Sequence, residues 1–457
     1  MKKLLILLVL LSHFTGSYAQ TTLTFKPLRY DEDYSFLKDD TSKRWLETIK
    51  YTALSTSKST YLSLGGEVRY QYFYVRNEDW GESPTDTDGY VLTRYLAHMD
   101  IHAGKHIRTF LQLQSSLANG KVSTSPVDEN PLDLHQAFID VNLYPTQKDK
   151  LIFRLGRQEL SYGSQRLISV REGPNNRQAF DGLKAIYTHK QAKLDIFYSH
   201  YVAAKKGILD DRFNPDTKLW GAYIVKNNTG FLPQIDLYYL GLWKKEATFD
   251  EGQGQELRHS VGGRLWGNRG NWTYDAEGVY QFGDFNSHPI SAWTASLNTN
   301  YKVDKIRYKP EIGLKTELIS GDKAYEDEKL NTFNPLFPKG AYFGLAALIG
   351  PANLFDLHPY LKLELHKKLS WDIDYDVFWR YSRNDGLYAV NMTLLYSGKN
   401  INSTFIGQQL STDLEYTPTD FLYFRTEFTW FHTGQFLTQA GAGKDILFTA
   451  FTAQLTF

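Results

Sequence analysis

The last fourteen residues, KDILFTAFTAQLTF, alternate without a break from Lys444 to Phe457. Leu447, Thr449, Phe451, Ala453, Leu455 and Phe457 share one face, and Phe448, Ala450, Thr452, Gln454 and Thr456 share the other, more polar one. A helix does not sort residues at period two, so this is a strand with one apolar and one wetter face. A soluble sandwich accepts such a strand by burying the apolar face, and a membrane barrel accepts it by turning that face to lipid.

The rest of the chain favours the barrel. About eighteen segments of about 9 to 16 residues repeat the alternation, in the size range of porins. In residues 369–382, Trp371, Ile373, Tyr375, Val377, Trp379 and Tyr381 alternate with Asp372, Asp374, Asp376, Phe378 and Arg380. Residues 421–431 and 61–76 do the same, with Arg425 and Glu427, and Glu67 and Arg69, on the wet face. Aromatic residues reach 15% while mean hydropathy is only −0.43, as expected when each strand has one lipid and one aqueous face. Charge is balanced, at 51 basic and 51 acidic residues, which gives no footprint for nucleic acid.

The connections sort by length. Short links are expected at 104–105, 144–149, 189–191, 268–270, 304–305, 367–368 and 418–419. Longer ones are expected at 77–88, 117–131, 161–180, 245–254, 321–352, 383–402 and 434–443. Outer-membrane barrels have short periplasmic turns and long external loops, whereas a soluble all-β protein has no reason to segregate its loops this way.

Lys2 and Lys3, the apolar run from Leu4 to Leu11, and Ser17-Tyr18-Ala19 read as a secretory signal peptide cut after Ala19. No later stretch approaches the ~20 apolar residues of a membrane helix, so insertion has to be as a barrel. The chain has no Cys, which excludes lipoprotein anchoring, disulfides and thiolate metal sites. The expectation is an all-β chain forming a single transmembrane antiparallel β-barrel of about 18 strands in the bacterial outer membrane. Its parts are a signal peptide at 1–19, a periplasmic lead-in or plug at 20–60 and the barrel at 61–457. Trp45, Ile49 and Leu54 suggest a short amphipathic helix in the second part.

Parity places Arg69, Arg94, Arg154, Arg264, Arg307, Lys315, Arg380 and Arg425 in the lumen, together with the acidic ladder Asp372, Asp374 and Asp376. Singly, such residues solvate a lumen and pair with one another. Collectively, rings of Arg and Lys attract anions, and inward-folded loops narrow the aperture.

Residues 155–182, LGRQELSYGSQRLISVREGPNNRQAFDG, end one strand, form a long loop dense in Arg157, Arg166, Arg171 and Arg177, and enter the next strand through Asp181-Gly182. A second long loop carries SGD at 320–322 and TFNPLFPKGAYFG at 332–344. On GRQEL with YG and QRL, on NNRQAFDG and on this second loop, the chain resembles the alginate export porin family over nearly all of its mature length. The resemblance implies an eighteen-strand channel whose arginine-lined constriction passes an anionic polysaccharide, with Arg157, Arg166, Arg177 and Asp181 at the family's motif positions. Guanidinium groups suit carboxylates, because their donor fork is rigid and their charge does not titrate. The implied partners are outer-membrane lipid, an anionic polysaccharide or small anionic solute, and periplasmic export components, with no nucleic acid and no cofactor.

A general or solute-uptake porin shares the barrel and differs in its constriction. A lipase- or acyltransferase-type barrel needs a Ser and His on the outer rim, and no GxSxG elbow accompanies His200 or His259. His98 and His102, four residues apart on a strand, are separated by ~13 Å and cannot share a metal ion. Calcium near Asp322 and Asp327 has chemical sense but no loop consensus. Length disfavours a TonB-dependent receptor or an autotransporter.

Overall fold

A computed structural model describes residues 23–40, 44–84, 88–228, 233–325 and 327–457. The signal peptide expected at 1–19 lies outside the described residues. Among those described, no helix is long and apolar enough to cross a membrane, and the crossing elements are strands.

Eighteen long strands close into a barrel. They are β1 Thr60–Arg76, β2 Tyr90–Ala103, β3 Ile107–Asn119, β4 Asn130–Thr146, β5 Asp149–Gln158 and β6 Phe180–His189, then β7 Ala192–Ala203, β8 Arg212–Lys226 and β9 Gln234–Phe249. The second half comprises β10 Gly252–Arg269, β11 Trp272–Phe285, β12 His288–Lys302, β13 Glu311–Ile319, β14 Leu354–His366 and β15 Leu369–Arg380, then β16 Phe405–Thr419, β17 Leu422–Thr433 and β18 Ile446–Thr456. Each pairs antiparallel with its sequence neighbour, and β1 closes on β18 from Glu67↔Thr456 to Arg76↔Leu447. That pairing leaves the start of β1 without a strand on one side. Thr52–Ala53 covers it through Thr52↔Leu62 and Ala53↔Tyr61, so its backbone groups are not an open edge.

Outward positions such as Leu155, Leu183, Leu237 and Ile312 are exposed, while their neighbours Arg154, Lys184 and Asp236 are buried on the inner side. This is the apolar-out, polar-in pattern of a lipid-embedded wall.

Long and short links alternate, with exceptions. The expected long connection at 245–254 is only the turn 250–251, because β9 runs to Phe249 and β10 begins at Gly252. A register shift between Lys244 and Ala247 breaks the period there, so a continuous hairpin looks like a loop in sequence. Another tight hairpin at the long-loop end turns at Asn286 and Ser287, both at positive φ (51° and 72°).

The N-terminal segment packs against the barrel's inner face. Tyr30 sits edge-on to Phe110 and Phe138, with ring centroids 6.1 and 5.5 Å away, and the Arg154 guanidinium lies 4.2 Å from its ring. A helix does form at Trp45–Lys50, but its faces are the reverse of the amphipathic expectation. Trp45 is exposed, Ile49 is half-buried and Glu47 and Lys50 are buried, while Leu54 lies beyond the helix and is exposed. Lys50 points at the wall, into space that β1 leaves at Gly65, where any Cβ would come within 2.4 Å of the ammonium, and it meets Glu32 of its own N-terminal segment at 3.8 Å.

Candidate functional site

Two connections, 159–179 and 320–353, fold into the lumen and bind each other. The Ser169 amide donates to the Phe337 carbonyl at 2.9 Å, the Phe337 amide to Leu167 at 2.8 Å, and the Lys339 amide to Gln165 at 3.0 Å. Phe337 meets Phe180 edge-on at 5.0 Å and stacks on Tyr201 at 5.5 Å, while Phe343 meets Phe378 at 5.2 Å. Leu160, Ile168, Leu336 and Ile349 complete an apolar layer with wall residues Leu219, Leu240, Val279 and Leu354. The motif stretches at 175–180 and 332–337 are thus mostly buried loop rather than surface. Gly156 is required at the base: its φ is +131°, and a Cβ would meet the Ala137 carbonyl at 2.2 Å.

Glu172 fastens the first loop. Its carboxylate contacts Arg69, Arg94 and Arg177, the last at 2.9 Å. Arg69 also donates to the carbonyls of Glu172 and Pro174 at 2.9 Å each. The Glu172 side chain is half-exposed, so burial opposes its charge only weakly, and Arg94, Arg177 and Arg69 together hold its carboxyl well below the usual range. No periodicity marks Glu172 in the sequence, because it lies in a loop.

Most of the expected basic residues are paired. Arg154 holds Asp140 bidentately at 2.7 and 2.9 Å. Arg157 holds Asp181 at 2.9 and 3.1 Å, and Arg177 holds Glu159 at 2.7 Å. Arg264 bridges Asp236 and Asp275, and Arg425 bridges Asp413 and Glu427. Lys315 stands 3.7 Å from Asp374. Arg307 departs from the parity expectation, and Arg380 meets it but is taken up by a loop. Arg307 is exposed in the turn 303–310, with its guanidinium 4.6 Å from the Tyr308 ring, because β12 ends at Lys302 and β13 begins only at Glu311. Arg380 is buried at the end of β15 and donates to the carbonyls of Arg383, Asp385, Ile401 and Ser403, so it anchors the loop 381–404.

Arg166 crosses the lumen to Glu277, at 3.3 Å, and to Glu317, with Tyr342 donating to Glu317 at 2.9 Å. Arg166, Glu317 and Tyr342 border a cavity of about 140 Å³ whose lining also includes Asp275, Lys315, Lys339, Asp356 and His358. Lys339 is in no ion pair among the described residues, and its Nζ lies 5.3 Å from the Tyr342 ring. Burial, then the charges of Arg166 and Lys315, press its pKa down to about 8. Its residue type was visible in the PKG step of the second loop, but its location was not.

The alginate export family matches residues 60–445. Among solved structures, the chain is similar to three from Pseudomonas aeruginosa. OpdP is 12% identical, with a TM-score of 0.58, covering 90% of this chain and 93% of that one. OpdO is 9% identical, with a TM-score of 0.57 and coverage of 87% and 97%. OpdF in complex with glucuronate is 10% identical, with a TM-score of 0.54 and coverage of 86% and 98%. No curated protein matches the chain in sequence. With an eighteen-strand barrel, inward-folded loops and a family match over most of its length, the chain belongs to the alginate export family and is an outer-membrane channel protein.

Proposed function

We propose that this channel passes anionic sugars, uronate polymers or their fragments, through a constriction built by the loops 159–179 and 320–353, and that it does so without catalysis. The observation that carries the reading is Lys339 beside Lys315 and Arg166 in one lumen cavity. Arg166 is engaged by Glu277 and Glu317 and Lys315 stands at Asp374, so Lys339 is the cation of this lining left for a solute, while Asp356 in the same lining opposes an anion unless a cation covers it. A lysine is a flexible point charge, suited to brief contact with a passing carboxylate, and such a contact relieves repulsion among neighbouring cations. The paired arginines act as the frame that holds the loops. Periplasmic components deliver the cargo, and the apolar outer band meets lipid.

The size of the cavity supports a second reading, uptake of small carboxylated solutes. About 140 Å³ is less than half of the ~300 Å³ at the low end for drug-sized ligands, so the cavity accommodates one sugar acid and not a polymer unless the loops move. Swelling of proteoliposomes separates the two. Glucuronate entering faster than glucose, with polyuronate slowing entry, supports an anionic-sugar channel that engages polymer. Fast glucuronate entry without polymer block supports small-solute uptake, and equal rates for glucose and glucuronate contradict both.

A further inference from the structure

On the wall facing the same cavity, Asp356 and His358 sit two residues apart on the inner face of β14. Asp376 of β15 falls opposite His358, between the pairs Leu357↔Val377 and Tyr360↔Asp374. All three are buried, at 1%, 6% and 1% exposure. One ligand atom from each lies within 4.8 Å of the others. A zinc ion with bonds of ~2 Å needs tetrahedral ligands ~3.3 Å apart, which small side-chain rotations reach.

Two further observations separate this cluster from a solvated acidic patch. The His358 Nε2 lies 2.6 Å from an Asp374 oxygen, while its Nδ1 contacts the Asp376 Oδ1, which is buried and accepts no hydrogen bond among the described residues. The Asp356 Oδ1 is buried in the same place and has no hydrogen-bond partner among the described residues. The nearby cations do not resolve this: Lys315 stands at Asp374, and Arg166 is taken by Glu277 and Glu317. Three carboxylates therefore outnumber the local positive charge.

We propose that the His358 Nδ1 and the carboxylates of Asp356 and Asp376 bind one divalent transition-metal ion of the zinc class, with Asp374 fixing the imidazole from behind. One nitrogen and two oxygens suit such an ion better than calcium or magnesium, which prefer all-oxygen sets. A carboxylate behind the imidazole is the usual way of orienting a histidine ligand. Asp356 and His358 both line the cavity, so a remaining coordination position opens onto the solute path. A dication there offsets the acidic wall and offers a contact for a sugar carboxylate.

The test is calorimetric titration of Zn²⁺ into the full-length mature protein, folded in detergent and stripped with chelator, with Co²⁺ absorption as a second readout. Neither depends on which solute the channel passes. The expected result is one ion per chain, with affinity reduced at least tenfold in Asp356→Asn and lost in His358→Gln, and reduced about 10- to 100-fold in Asp374→Asn. Asp356→Asn is isosteric, and heat-modifiable migration checks that it is folded, so it decides the matter even if His358→Gln does not assemble. No stoichiometric binding by wild type, or equal binding by wild type and Asp356→Asn, overturns the proposal. Such a result leaves a protonated imidazole bridging Asp374 and Asp376.

Discussion

Two stretches of the inner wall, β1–β2 and β14–β15, use the same alternation to opposite ends. On the first, Arg69 and Arg94 project inward and a loop carboxylate, Glu172, descends to join them with Arg177. On the second, Asp356, Asp374 and Asp376 project inward around His358, with Lys315 at Asp374 and Arg166, itself engaged by Glu277 and Glu317, as the nearby counter-charges. Strand parity thus determines which residues face the lumen, but whether they form a closed frame or an open, unbalanced site depends on what the loops bring. The basic wall is spent on holding a loop, and the acidic wall faces the cavity.

The largest expected effect lies on the basic wall. Arg94 is fully buried and donates to Glu67 at 2.7 and 2.9 Å, so Arg94→Ala leaves a buried carboxylate alone. It should cost about 3–5 kcal/mol in urea unfolding from bilayers and release the loop 159–179 to protease. A cost below about 1 kcal/mol would erase the contrast between the walls.

Lys339 gives the next effect. With its pKa pressed down to about 8, the lysine is charged at pH 7 and mostly neutral at pH 9, so affinity for a carboxylate falls as pH rises through 8. Glucuronate block of single-channel current should weaken about tenfold between pH 7 and pH 9, and Lys339→Gln should flatten that dependence.

On the acidic wall the sign reverses. Asp356→Asn removes a charge that lacks a partner, so in metal-free protein it should stabilise the barrel, by up to about 1 kcal/mol in the same unfolding assay. Destabilisation would mean that the wall is already balanced. Smallest of all, Arg307→Ala alters an exposed turn and should change stability by less than about 0.5 kcal/mol and leave ion selectivity unaltered.

The barrel was legible because period two survives wherever one face meets lipid, as in Leu369–Arg380. Where a bulge slips the register, as between Lys244 and Ala247, the same rule mistook a hairpin for a loop. Arg307 was misplaced for a related reason: parity was extended past the end of the strand. The helix at Trp45–Lys50 was recognisable, but its orientation was not, since a segment packed on a polar lumen buries Lys50 and exposes Trp45. Motif arginines could be named from the sequence, whereas their partners could not, because Arg166 reaches Glu277 and Glu317 across the barrel. Asp356 and His358 alternate inward in LFDLHPY, but Pro359 interrupts the strand pattern and hides them.

The most direct test of the central claim, a lumen cavity that engages anionic sugar between two inward loops, is the reversal potential of the purified protein in a planar bilayer under a salt gradient, with polyuronate then added to one side. Anion preference at pH 7 and reversible block by the polymer are expected. A cation-preferring or non-selective conductance that polyuronate leaves unchanged would contradict it.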